Sequence, residues 1–288
     1  MKAYLDIIRT VLDEGQEKAD RTGVGTISCF GLQFRHDMQT GFPLVTTKKI
    51  AFKTMRVELE GFLKGITDKE WYRERGCHIW DEWANPRVAA YGHDDFARAA
   101  MFAQRDLGPV YGFQWRHFGA NYEGPLASYN QKGVDQLEDL VETLKRDPNS
   151  RRMIVSAWNP VQMDQMALAP CHLLFQANVI GNRLDVGWYQ RSVDTMLGLP
   201  FNIAQYGMIL HLLAQASGLQ EGVLVGNLGD VHIYNNHLEW AREQLTRVPF
   251  PLPTVVTEPI SSIFEWDHTK TKIENYQYHP AIKLPVAI

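Results

Sequence analysis

The chain has 288 residues, enough for one large or two modest domains, and its 45% apolar and 22% charged residues are those of a soluble globular protein with a sizeable core. With 29 Lys and Arg against 33 Asp and Glu, the formal charge of −4 is too mild for a nucleic-acid tail or a lipid-surface protein, so neither DNA nor a membrane is expected as a partner. Three cysteines (Cys29, Cys77, Cys171), odd in number and without CxxC spacing, argue against a disulfide framework or structural zinc and fit a reducing cytoplasm.

The opening MKAYLDIIRTVLDEGQEKAD meets a charge every few residues and does not read as a secretory signal. Instead, Leu5, Ile8 and Leu12 recur at helical spacing over 2–14, up to Gly15. Residues 24–36 are β-branched and aromatic and predict a strand, and 50–65 predicts a helix. Residues 84–106 are alanine-rich with weak periodicity and read as a surface insertion with a short helix. A helix follows over 133–146, with Val134, Leu137, Val141 and Leu144 on one face and Asp147-Pro148 as its stop. Strands are expected at 152–158, 172–180 and 184–190, the last two joined by a turn at Gly181-Asn182. Residues 202–217 form an almost wholly apolar helix, buried for that reason. No apolar run reaches the roughly 18–20 residues of a bilayer span. Helices and strands outside strict alternation predict an α+β fold, a large mixed sheet with packed helices in one domain over 1–288.

Cys171 lies in MALAPCHLL, where Pro170 keeps its predecessor extended and a strand begins just after. Two readings stand: a small buried hydrophobe, or a nucleophile whose thiolate is favoured by Arg191 if the flanking strands pair. Arg151-Arg152, Arg191-Ser192 and Arg21, the last in the glycine-containing turn DRTGVGT with backbone N–H groups on offer, suit a phosphate; surface ion pairs are the other reading. Asn202 opens the apolar helix, as an amide reader of a flat heterocycle, an N-cap, or both. His232 and Tyr234 alternate and share one face of a strand. Glu58 sits among apolar neighbours, where a carboxylate acquires the raised pKa of a general acid or base, and Asp194 lies three residues beyond Arg191. The ten histidines are dispersed, so no metal is expected, and no P-loop or GxGxxG occurs.

Taken together, DRTGVGT (20–26), GFPLVTTKK (41–49), HIWDEWA (78–84), LGPVYGFQWRHFG (107–119), SRRMIVSAWNP (150–160), MALAPCH (166–172), YQRSVDTMLGLPFNIAQY (189–206), GDVHIYNNH (229–237) and PVAI (285–288) resemble thymidylate synthase over almost the whole chain. The resemblance implies a homodimer that converts dUMP to dTMP with 5,10-methylenetetrahydrofolate as carbon donor and reductant, releasing dihydrofolate. Cys171 would add to uracil C6. Arg21, Arg191 and Ser192 would hold the phosphate, with Arg151 and Arg152 reaching across from the other subunit. Val193, Asp194 and Asn202 would meet the nucleotide, and His232 and Tyr234 the deoxyribose. Glu58 would organise water and proton transfer, and Tyr111 would help remove the C5 proton. Asp194 would anchor the pterin; Lys48, Ile79, Trp80, Leu197, Gly198, Phe201 and Ala287 would complete the folate site, Lys48 at the glutamate tail.

Asn202 speaks for uracil, since related dCMP hydroxymethylases place aspartate there. Glu60-Gly61 stand where the family has bulky apolar residues, Ala51 where many relatives have histidine, and Gly187 where glutamine is common. Smaller or charged groups beside Glu58 open a route for water, which makes a dUMP hydroxymethylase the alternative product class; a non-catalytic nucleotide- or RNA-binding relative is a remoter one. Trp80 and the PVAI tail, which shield the intermediate, favour reduction.

Overall fold

A computed structural model describes residues 1–20 and 22–285. In chain order its helices and strands are α1 (Lys2–Glu14), β1 (Gln16–Lys18), β2 (Thr26–Asp37), α2 (Phe52–Leu63), α3 (Lys69–Arg73), α4 (Asp95–Ala103), α5 (Gly112–His117) and α6 (Gln136–Arg146). There follow β3 (Ile154–Ser156), β4 (His172–Ile180), β5 (Arg183–Asp194), α7 (Gly198–Ser217), β6 (Gln220–Tyr234), α8 (Leu238–Thr246), β7 (Thr254–Thr257) and β8 (Thr271–Glu274). The fold is α+β: a mixed six-stranded sheet ordered β1-β2-β6-β5-β4-β3, and a separate β7-β8 pair. Contacts divide the chain into two compact units, one of Met1–Ala51, Ala177–Ser261 and Thr269–Ile288, the other of Phe52–Gln176 and Ser262–His268.

In the first unit, β6 pairs antiparallel with β2 and parallel with β5. α7 packs on both β5 and β6, and thirteen of its residues are buried, among them Ile203, Tyr206, Ile209, Leu210 and Leu213. The Trp188 and Tyr206 rings stack 5.0 Å apart. Gly226 makes room for that layer, since a Cβ there would come 2.5 Å from the Trp188 ring. α7 begins four residues before the expected start, at Gly198, because Pro200 falls in the first turn, where its missing N–H costs no helical bond. Asn202 therefore stands inside the helix, and the N-cap reading of it is overturned.

The second unit is built around aromatic rings. Phe62 of α2 stacks on Tyr111 at 4.9 Å and meets Trp80, Trp115 and His172 within 6.4 Å. α6 buries Leu137, Val141 and Leu144 as expected, and Leu140 with them. It starts at Gln136, where the Asp135 carboxylate caps the Glu138 N–H, and Val134 lies before it, exposed. β3 pairs antiparallel with the first part of β4 and is shorter than the expected 152–158. Residues 84–106 do hold a short helix, α4, but they are anchored: Met101 is buried with Ala84 and Ala89.

Candidate active site

The second unit carries the candidate nucleophile. Pro170 delivers Cys171 to the start of β4, half-buried, and its backbone N–H donates to the Tyr111 hydroxyl at 2.8 Å. Tyr111 lies between two rings, stacked on Phe62 and on His172, the latter 4.3 Å away. Burial pushes the His172 imidazole down to about 3, so it is a neutral aromatic plate at ordinary pH. Glu58 is buried on α2. Burial first, and then the Glu58 charge, raise both the Tyr72 phenol and the Cys77 thiol, the latter to about 12. Trp80 is buried edge-on to Phe62 and Tyr111, and its indole N–H has no acceptor among the described residues. Ile79 beside it is exposed. Arg151 and Arg152 are exposed just before β3, and neither forms an ion pair among the described residues.

The first unit carries a constellation of a different kind. β5 runs on through Arg191, Ser192, Val193 and Asp194, four residues past the expected end, because β6 pairs with it throughout: Ser192 opposite Asp230, Asp194 opposite His232. Arg191, Ser192 and Asp194 are half-buried, whereas the Val193 side chain is in the core and leaves only its backbone for a ligand. Asp194 Oδ1 accepts the N–H groups of Met196 (3.0 Å) and Leu197 (2.9 Å), which leaves Oδ2 uncommitted among the described residues. Leu197, Gly198 and Phe201 follow, half-buried, at the head of α7. The Asn202 amide is oriented by neighbours: Gln190 Nε2 donates to its Oδ1 at 3.0 Å, and its Nδ2 faces Gln205 Oε1 at 3.4 Å. Trp188 Nε1 in turn donates to Gln190 Oε1 at 3.2 Å.

His232 and Tyr234 do share a face of β6, their rings edge to face at 5.3 Å. His232 Nδ1 sits 3.2 Å from the Asp230 carbonyl and 3.5 Å from its carboxylate. His232 foremost, with Lys18 and Ser28, holds the Asp230 carboxyl well below the usual range. Lys48 is placed unexpectedly: its ammonium is buried and donates to the Met196 carbonyl, and burial lowers it to about 8 against the opposing pull of Asp194. The turn around Arg21 offers fewer donors than expected, because the Asp20 carboxylate already takes the N–H groups of Thr22 (2.8 Å) and Gly25 (2.7 Å). Arg21 and Ala287 lie outside the described residues.

The atypical positions on α2 are compensated. A Cβ at Gly61 would lie 2.3 Å from the Tyr72 ring, so Tyr72 occupies the space that a bulky residue at 61 would fill. Buried Glu60 is engaged by the Lys64 ammonium (2.5 Å) and by His268, through its ring Nδ1 (2.7 Å) and its backbone N–H (3.0 Å). Ala51 is exposed, and a Cβ at Gly187 would meet nothing nearer than 3.9 Å.

Sequence reading missed Gln190, Asp230, His172 and Tyr72. For Gln190 a signal existed: Trp188, Gln190 and Ser192 fall on one face of a strand at a period of two. Tyr72 had none, because its role depends on Gly61, eleven residues earlier in the chain.

The long mixed sheet and its buried helix define an α+β enzyme scaffold, not a phosphate-loop or dinucleotide fold. The thymidylate synthase family model matches residues 2–288, and the chain belongs to that family. It is therefore a folate-using one-carbon transferase of nucleotide biosynthesis, with a role in methylation or hydroxymethylation of dUMP. The first unit has a group that fits a pterin, since Asp194 Oδ2 is an acceptor left uncommitted among the described residues. The described residues hold no group of three or more His, Cys, Asp or Glu suited to a metal ion, and no helix is long and apolar enough to cross a membrane.

Proposed function

We propose that the protein reductively methylates dUMP to dTMP with 5,10-methylenetetrahydrofolate, as one catalytic domain over 1–288 acting in the cytoplasm as a homodimer. The observation that carries the choice of product is Tyr72 filling the space over Gly61, on the face of α2 that also holds Glu58 three residues earlier. A dry wall there disfavours capture of the intermediate by water, the step that separates a hydroxymethylase from a synthase.

In this reading the Cys171 thiolate adds to uracil C6, and the electron pair displaced to C5 attacks the one-carbon unit. Tyr111, anchored by the Cys171 N–H, assists loss of the C5 proton, with Glu58 ordering water for its transfer. When bound, methylenetetrahydrofolate would supply the carbon, released by cleavage of its bonds to N10 and then N5, and a hydride, leaving as dihydrofolate; the C6–S bond breaks and the Cys171 thiolate is restored. The oriented amide of Asn202 reads the uracil edge, donating to a carbonyl where an aspartate would accept from an amine. Arg191 and Ser192, with Arg21, hold the phosphate. His232, its Nδ1 turned to Asp230, offers Nε2 to the deoxyribose, joined by Tyr234. Asp194, Trp80, Ile79, Leu197, Gly198, Phe201 and Ala287 bind the folate.

Arg151 and Arg152, exposed and without an ion pair among the described residues, suit a second subunit's phosphate. Support for self-association comes from the first unit's open sheet face, where Phe30 is 83% exposed beside a depression of about 230 Å³ lined by Leu32, Tyr189 and Asn227.

The test is incubation with dUMP and methylenetetrahydrofolate, following dihydrofolate absorbance and the nucleotide mass. dTMP with equimolar dihydrofolate is expected. Nucleotide turnover to 5-hydroxymethyl-dUMP without dihydrofolate overturns the reading in favour of the hydroxymethylase.

A further inference from the structure

The segment 84–106 has no part in the function proposed above, yet two cations of α3 hold it. The side chain of Lys69 is fully buried, and its ammonium donates to three backbone carbonyls: Asp81 (3.1 Å), Trp83 (2.8 Å) and Met101 (2.7 Å). Two of these acceptors lie in the turn that carries Trp80, and the third lies near the end of α4. One helical turn on, Arg73 repeats the pattern. Its Nε donates to Asp81 Oδ1 at 2.7 Å, its Nη2 donates to the Phe102 carbonyl at 2.9 Å, and its guanidinium stacks 4.2 Å over the Phe102 ring. The Lys69 backbone N–H donates to the Arg105 carbonyl at 2.7 Å, so the far end of the insertion returns to the same helix.

A buried ammonium is costly unless its protons all find acceptors. Three carbonyls from two separate segments meet that demand only if both segments are in place, so the cation couples them. The turn's other polar ties are local: Asp81 N–H to the His78 carbonyl (3.2 Å), Trp83 N–H to the Trp80 carbonyl (3.1 Å), the His78 ring on the Asp81 carboxylate (3.0 Å) and the Ile79 backbone on the Cys77 thiol, while the Trp80 ring packs on Phe62 and Tyr111 and the Trp83 ring stacks on Tyr91.

We infer that Lys69 is a positioning residue for the folate-binding wall: it clasps the Trp80 turn to α4, so that the insertion sets where the indole stands. This rests on the reading of Trp80 as a folate contact. In Lys69→Met the stem survives and the donors are lost. KM for methylenetetrahydrofolate, and Kd for dihydrofolate in the presence of dUMP, then rise about tenfold or more, a modest effect for a displaced substrate-positioning group. The Kd for dUMP alone stays within about twofold, and kcat falls less than kcat/KM. A variant that melts earlier but keeps both folate constants overturns the inference. Should Lys69→Met fail to fold, Arg73→Gln, at the rim of the clasp, is expected to shift the same constants in the same direction, and unchanged folate constants there overturn it equally. Amide exchange tests the clasp apart from catalysis. Lys69→Met deprotects 78–83 and 99–103 together, and unchanged protection of 78–83 overturns the inference even if the enzyme makes a different product from the one proposed.

Discussion

The two constellations are built by opposite means. In the first unit, Arg191, Ser192, Asp194, Asn202, His232 and Tyr234 stand on β5, β6 and the head of α7, and their placement follows from ladder register and helical spacing. Hydrogen bonds then orient them: Gln190 sets Asn202, Asp230 sets His232, and the 194–197 turn sets Asp194. In the second unit, Cys171, Tyr111 and Trp80 stand on loops or element ends, and what holds them is ring packing around Phe62. In the proposed function, recognition would thus be carried by regular backbone and chemistry by packed side chains. A hydrogen-bonded reader can be retuned by one substitution, whereas a packed one tolerates little change of volume.

The sharpest separation comes from Cys171→Ser, expected to lower turnover by roughly 10³-fold or more while dUMP still binds, because the nucleophile and the phosphate- and base-reading groups lie in different constellations. Titration of labelled dUMP checks it; loss of binding in proportion to activity would break the division of labour. Next, Asn202→Asp shifts the ratio of kcat/KM for dUMP over dCMP by roughly 10- to 100-fold toward cytosine, the scale of one mismatched buried hydrogen bond of about 1–3 kcal/mol. Competition assays with both nucleotides measure it, and an unmoved ratio removes Asn202 from base reading. In the packed region, Gly61→Ala forces a methyl into the Tyr72 ring and is expected to cost about 1–3 kcal/mol in urea unfolding, with 5-hydroxymethyl-dUMP appearing among the products as the wall loosens.

A further test of the packed region is a slope with pH. The folded protein keeps His172 neutral down to about 3, whereas the unfolded chain binds that proton near 6.5. Its contribution is therefore intact above 6.5 and is lost as pH falls from there toward 3, by about 1.4 kcal/mol per pH unit. Unfolding at stepped pH should show this slope in the parent and lose it in His172→Phe; equal slopes would mean that the buried ring does not resist protonation.

Legibility followed the same division. Strand alternation and apolar spacing located β2, β4, α1 and α6 to within a few residues, and the motifs singled out Cys171, Asn202 and His232 as candidates. Errors fell where a distant partner overrode local signals. β5 runs past 190 because β6, some forty residues on, pairs with it, whereas the early start of α7 follows from Pro200 within the helix itself. The space beside Gly61 is taken by Tyr72, and Glu60 is engaged by His268, some two hundred positions away.

From its residues alone, this chain specified a mixed sheet with packed helices and a family of chemistry, because periodicity and contiguous motifs are written between near neighbours. Folding alone settled that Tyr72 fills the space over Gly61, that Asp230 and Gln190 meet His232 and Asn202, and that Lys69 ties the end of α4 to the Trp80 turn. Such arrangements depend on which distant surfaces pack and which buried charges must find acceptors, and neither leaves a period in the order of residues.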